Sequence, residues 1–380
     1  MKAFLAAVLS AATCFALAPT VVGQCFAPYQ YVGNFVSAWD LIVADFNHDG
    51  FPDIAVAVAN TESPKYEGNL DIILGNGDGT FQPVVHYKAA FGAQGLAAGD
   101  FNNDGNLDVI VVGNPPAGGD EGADVFLGNG DGTFRHGSRG AGQVQQLSTV
   151  VVGDFNGDGN LDAVLAPWFA NHISALFGNG DGTMRGPFLI SPGSYRPSAL
   201  LAADLNGDGK LDIVTVNAQG VGKGVSIYLG NGDGTFSFNG AYATSSGGGF
   251  GAVAGDFNED GKIDLAVAGL GADVFLGNGD GTFQRFTDYP AGFVPTDIKI
   301  GDFNGDHHLD LAMNQDFGLV SVLIGNGDGT FQTAIVSSNS PPDALHFAVG
   351  DFNLDGRPDL ALADISLGVA VELNTGHCPQ

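Results

Sequence analysis

The chain has 380 residues and a formal net charge of −29, from 42 acidic against 13 basic residues, with 44% hydrophobic residues that include 28 phenylalanines. So acidic a chain excludes nucleic acid and anionic membrane surfaces as partners. Its apolar content excludes an acidic disordered chain and provides for a core.

The first element in chain order reads as an export signal. Lys2 precedes the apolar run "AFLAAVLSAATCFALA" (3–18), which is too short to span a membrane, and small residues lead to a cut after Gly23 with Val21 at the −3 position. Residues 1–23 are therefore expected to be a signal peptide and residues 24–380 the mature, secreted chain. No later run approaches the ~18 apolar residues of a membrane helix, so no membrane span is expected. Outside the cell, disulfides and millimolar calcium are both available.

Next comes a lone strand candidate, "FAPYQYVGN" (26–34), and then a unit that repeats seven times. Each unit carries the pattern D-x-N-x-D-x-x-x-D: "DFNHDGFPD" (45–53), "DFNNDGNLD" (100–108), "DFNGDGNLD" (154–162), "DLNGDGKLD" (204–212), "DFNEDGKID" (256–264), "DFNGDHHLD" (302–310) and "DFNLDGRPD" (351–359). Between successive copies lies a second motif, "LGNGDGTF" at 74–81, 127–134, 229–236 and 276–283, with variants "FGNGDGTM" (177–184) and "IGNGDGTF" (324–331). An apolar run of small residues precedes each acidic loop, a second run follows it, a third leads into N-G-D-G, and a fourth starts at Thr-Phe. N-G-D-G is a hairpin turn signal. Four strands per repeat of about fifty residues, without helical periodicity, specify an all-β chain folded as a seven-bladed β-propeller. The seventh unit ends after three strands at "VAVELNTGHC" (369–378), so the strand at 26–34 is expected to complete it and close the ring. That register sets Cys25 beside Cys378, and the two are expected to form a disulfide. The competing fate, lipidation of Cys25, wants a small residue before it, where Gln24 stands.

Carboxylates crowded into nine residues repel one another unless a cation sits among them. Calcium takes six to eight oxygen ligands, and short acidic loops supply them from side chains at positions 1, 3 and 5 and a carbonyl at position 7; here an Asp at position 9 adds another. The candidate ligands are Asp45, Asn47, Asp49, Phe51 (carbonyl) and Asp53 in the first loop, and Asp100, Asn102, Asp104, Asn106 and Asp108 in the second. The third and fourth loops offer Asp154, Asn156, Asp158, Asn160 and Asp162, then Asp204, Asn206, Asp208, Lys210 and Asp212. In the fifth and sixth they are Asp256, Asn258, Asp260, Lys262 and Asp264, then Asp302, Asn304, Asp306, His308 and Asp310. The seventh has Asp351, Asn353, Asp355, Arg357 and Asp359, again with the carbonyl at position 7. About seven Ca²⁺ ions, one per blade, are expected. The sixth loop is the weakest, because His307 replaces the glycine of the bend. A lone Asp among glycines makes a poor cage, so the N-G-D-G segments are expected to be turns, not metal sites.

At these residues the sequence resembles the FG-GAP (VCBS-type) repeat family, known from the head propellers of integrin α-subunits; the resemblance spans roughly residues 26–376. It implies a seven-bladed propeller with calcium between the first and second strands of each blade. Members include adhesion proteins, lectins and polysaccharide-degrading enzymes, so the fold leaves the function open. An acidic loop in every blade departs from the integrin pattern.

Function is expected on the rim opposite the acidic loops, where the connections diverge: "NTESPKYEG" (60–68), "NPPAGGDEGA" (114–123), "PWFANH" (167–172) and "QDFGL" (315–319). Trp168 and Phe169 are candidates to stack on a ligand, with packing between blades as the alternative. The reading is a monomeric, secreted, calcium-binding module for carbohydrate or protein, with an adhesion role. The rivals are an extracellular polysaccharide lyase or hydrolase and a purely structural surface protein. The sequence has no H-E-x-x-H, no G-x-S-x-G and no catalytic cysteine.

Overall fold

The structure, a computed structural model, describes residues 25–378 apart from position 36, 60–67, 90–91, 115–121, 141–146, 168–171, 191–195, 219–223, 293, 316–317 and 338–339. The proposed signal peptide, Trp168 and Phe169, and most of the divergent connections lie outside the described residues. Among the described residues no helix is long and apolar enough to cross a membrane.

The chain forms seven four-stranded antiparallel sheets, each with its strands in sequence order except the last. Blade 1 consists of Ala38–Ala44, Asp53–Ala59, Gly68–Ile73 and Val85–Ala89. Blade 7 consists of Ala344–Gly350, Asp359–Asp364 and Gly368–Glu372, with Gln30–Asn34 as its outer strand. Tyr31 stands opposite Ala370, so the N-terminal strand closes the ring. A Cys25–Cys378 disulfide, with the Cα atoms 4.5 Å apart, secures it. All-β architecture, seven blades and closure by the N-terminal strand are as the repeats predict.

First strands neighbour one another around the axis, and small residues are frequent in them, as in GAQGLAAG and AVAG. Second and third strands are covered on both faces by neighbouring blades, and Asp53–Ala59 is buried throughout. That sandwiching explains runs such as "DIAVAVA" that do not alternate with polar residues. Fourth strands lie outermost and carry exposed residues such as Val85 and Phe238.

The two repeated motifs meet across the seams between blades. Position 2 of every acidic loop (Phe46, Phe101, Phe155, Leu205, Phe257, Phe303 and Phe352) is buried to 3% exposure or less. It packs on the residue after Thr in the next blade's N-G-D-G-T-F: Phe46 on Phe134 at 5.6 Å between centroids, Phe155 on Phe236 at 5.8 Å and Phe257 on Phe331 at 5.6 Å. Phe352 of blade 7 meets Phe81 of blade 1 at 5.4 Å. Blade 7 lacks the Thr-Phe strand, and Phe26 from the N-terminus takes its place against Phe303 at 6.0 Å. Each seam thus packs an edge-to-face or tilted aromatic pair, or a pair in which Leu or Met replaces one ring.

Candidate metal centres

The third loop shows how the acidic residues shape the backbone. Asp154 Oδ1 accepts the N–H groups of Gly157 (2.7 Å) and Asp158 (3.1 Å), and its Oδ2 accepts that of Gly159 (2.9 Å). Asn156 Oδ1 accepts the Asp158 N–H at 2.8 Å, and Asp158 Oδ1 accepts the Asn160 N–H at 2.9 Å. The side chains at positions 1, 3 and 5 therefore draw the loop's amides onto their oxygens and fix its curl. The other loops repeat these bonds, as from Gly50 N–H to Asp45 (2.9 Å) and from His307 N–H to Asp302 (2.9 Å).

Two positions per loop are left-handed. The sixth was expected and is glycine except for His307, which takes φ 71. The fourth was not expected: His48, Asn103, Glu259 and Leu354 adopt φ between 55 and 58 there. A left-handed non-glycine residue costs about 1–2 kcal/mol, so five loops, the sixth through His307, carry strain that the surrounding bonds sustain.

The ninth-position aspartates face inward. Asp162, fully buried, accepts the Phe155 N–H on Oδ2 at 3.0 Å and the Gly178 N–H on Oδ1 at 2.9 Å. Every blade has this clasp: Asp53, Asp108, Asp212, Asp264 and Asp310 bond likewise to Gly75, Gly128, Gly230, Gly277 and Gly325, and Asp359 bonds to Asn374. In blade 1 the glycine is required because a Cβ on Gly75 would lie 2.3 Å from the Pro52 carbonyl oxygen. Burial pushes the carboxyls of Asp53, Asp108, Asp162 and Asp359 up to about 6 and that of Asp310 to about 7. The two amide bonds oppose the rise, and the charges at positions 5 and 1 add to it.

Among the described residues no group of three or more His, Cys, Asp or Glu side chains is gathered closely enough to hold a metal ion. The reason is visible in the bonds just described: the ninth carboxylate turns to backbone amides, while the first and fifth curl onto the loop. The donor set still fits a hard cation, since it is all oxygen and each carboxylate oxygen that accepts one N–H keeps a lone pair. Position 7 adds a feature that the sequence did not reveal. The side chains of Lys262 and Arg357 reach Asp260 and Asp355 of their own loops at 3.1 Å, and Lys210 lies 3.7 Å from Asp208.

The loops are also tied to one another. The second glycine of each N-G-D-G turn donates to the position-2 carbonyl of the preceding blade: Gly132 to Phe46 (3.2 Å), Gly182 to Phe101 (2.9 Å), Gly234 to Phe155 (3.0 Å) and Gly329 to Phe257 (2.8 Å). Gly79 to Phe352 (2.8 Å) carries this across the ring closure, and the Asn374 side-chain amide replaces the glycine by donating to Phe303 O at 3.0 Å. Position 4 of one loop meets position 7 of the next at His48–Asn106 (3.3 Å), Asn103–Asn160 (3.0 Å) and Glu259–His308 (2.7 Å). The acidic loops and N-G-D-G turns thus share one rim and form a continuous hydrogen-bonded belt.

The FG-GAP-like repeat family model matches residues 45–111, 100–165, 154–215, 216–267 and 302–362. Among curated proteins none matches the sequence. Among solved structures, a lectin of Agrocybe aegerita, described for its specific recognition of non-reducing terminal N-acetylglucosamine, is 20% identical. It aligns over 91% of this chain and 87% of its own with a TM-score of 0.58. BBS1N, crystallised in complex with ARL6DN, is 12% identical over 93% of this chain and 98% of its own, with a TM-score of 0.63. At these identities the likeness establishes the fold.

Proposed function

The chain belongs to the FG-GAP-like repeat family, and on that footing we propose that it is a secreted, calcium-stabilised binding module for an extracellular carbohydrate or protein. The reading rests on the belt of seven oxygen-rich loops along one rim. Calcium in the third loop would be held by Asp154, Asn156, Asp158, the Asn160 carbonyl and Asp162, and correspondingly in the others. When bound, the ion neutralises carboxylates that otherwise repel. The chain's own contribution is to fix the loop through Asx-type bonds and to pass its rigidity to its neighbours through the bond to the position-2 carbonyl and, at three junctions, through positions 4 and 7. Lys210, Lys262 and Arg357 supply a cation of their own, so the fourth, fifth and seventh loops are expected to hold calcium more weakly.

A rigid ring frees the opposite rim to diversify, and the connections there differ from blade to blade. The likeness to a lectin and to a propeller crystallised with a protein partner supports a binding role of either kind. Residues 1–23 fit an export signal, which supports a location where calcium is plentiful. A panel of extracellular glycans, including those ending in N-acetylglucosamine, and of matrix proteins tests the reading. Saturable binding to a member of the panel in calcium, weakened by chelator, is the expected result. Turnover of a polysaccharide, or no binding across the panel, would contradict it.

A further inference from the structure

Glu372 ends the third strand of blade 7, opposite Leu360, and its side chain is fully buried. The equivalent position, just before the residue that leads into each turn, is Ile73, Phe126, Leu176, Tyr228, Phe275 or Leu323 in the other blades, all of them buried. On the same face as Leu360 and Leu362, Glu372 looks into the seam with blade 6, which is lined by Val320, Val322, Ile324 and Ile335. Neither carboxyl oxygen has a well-formed hydrogen bond, nor do the buried hydroxyls of Ser337 and Ser340 at this seam; Ser340 is near enough to Glu372 only to temper the effect of its burial. The titratable groups of the surrounding elements are engaged elsewhere. Tyr31 donates to Asp364 at 2.8 Å, and Ser366 donates to Asp343 at 2.6 Å. At the axial end Lys299 lies 2.7 Å and His346 3.5 Å from Asp297.

We propose that Glu372 stands in this seam as an uncharged carboxylic acid, so that the packing of the ring-closing blade on blade 6 is linked to the binding of a proton. A charge in an apolar seam with no counter-charge is expensive, whereas a neutral acid has a modest cost. Burial pushes Glu372 from its ordinary 4.5 up to about 7, opposed only by the Ser340 hydroxyl. Because the folded value is raised, the stabilising contribution is complete below about 4.5, is lost as pH rises through about 7, and stays lost above it. Across that window the folding equilibrium should fall by a factor on the order of a hundred on account of this residue.

The test compares unfolding midpoints of the full chain with those of Glu372→Gln and Glu372→Leu from pH 4.5 to 8.5. Buried aspartates share the sign of the effect, so the reading is the difference between wild type and variant. Glu372→Leu, which restores the residue type of blade 6, should equal or exceed wild type at low pH and gain on it steadily toward pH 8. Parallel curves would overturn the proposal. Should a variant fail to fold, carboxyl ¹³C NMR of glutamate-labelled wild type decides: a buried Glu titrating near 7 supports it, and all Glu residues titrating near 4.5 overturn it. Stability of the wild type at pH 8.5 that is restored by sodium but not by tetramethylammonium would mean that a bound cation, not a proton, neutralises the site, and would also overturn it.

Discussion

Alanine in place of Asp162 is expected to destabilise the chain by roughly 3–5 kcal/mol even in chelator, from two hydrogen bonds to a charged acceptor at about 1.5–3 kcal/mol each. The Phe155 and Gly178 amides that it satisfies lie where the side chain is fully buried, so no water replaces the lost acceptor. Alanine in place of Asp158 should behave differently. That carboxylate is 35% exposed, and its bond to the Asn160 amide is at the loop surface. In chelator the change should cost about 1 kcal/mol or less, while in calcium the cost should grow by whatever the ion contributes. Urea unfolding of both variants, with calcium and with chelator, separates the roles. An Asp158→Ala penalty that is the same in both conditions would remove position 5 from the ligand set. An Asp162→Ala change that is harmless in chelator would refute the clasp.

Reducing the Cys25–Cys378 disulfide, or replacing both cysteines by serine, should produce the second large effect. The bridge closes a loop of sequence separation 353. In the chain-entropy model a loop that long stabilises by about 6 kcal/mol, an upper limit. The N-terminal segment keeps other attachments: Ala27 N–H to Leu373 O and Thr375 N–H to Cys25 O, both 2.8 Å, and the Phe26–Phe303 contact. The reduced ring should therefore still close in buffer but unfold at markedly lower denaturant. Equal midpoints for oxidised and reduced protein would show that the strand pairing alone secures the closure.

The architecture was legible because the first motif recurs in all seven blades and the second in six, so strand count, blade count and closure could be read from their spacing. The missing Thr-Phe strand of unit seven and the lone segment at 26–34 announced each other, and the cysteines marked the place. Less legible was the division of labour within the acidic loop. Asp154, Asp158 and Asp162 carry the same side chain, yet the first two curl the loop and the third clasps buried amides, a difference set by which side of the strand's start each one falls on. The left-handed fourth position escaped notice because His, Asn, Glu and Leu there carry no common signature; only the glycines of other copies hinted at it. The second glycine of N-G-D-G looked like ordinary turn chemistry, since a bond to another blade leaves no mark in local sequence. Glu372 did leave one: an acid in the column of Ile73, Phe126 and Leu323 breaks an apolar pattern and can be found by aligning the repeats. Trp168 and Phe169 stay as ligand candidates from sequence.

Calcium bound per chain, measured by elemental analysis of the purified protein and followed by melting with and without chelator, bears most directly on the account. Seven acidic loops predict about seven ions, with the fourth to seventh emptied first as free calcium is lowered, and a steep fall in melting temperature once all are removed. Less than one ion per chain in millimolar calcium, with a melting temperature indifferent to chelator, would contradict it and leave the belt of loops as hydrogen-bonded turns alone.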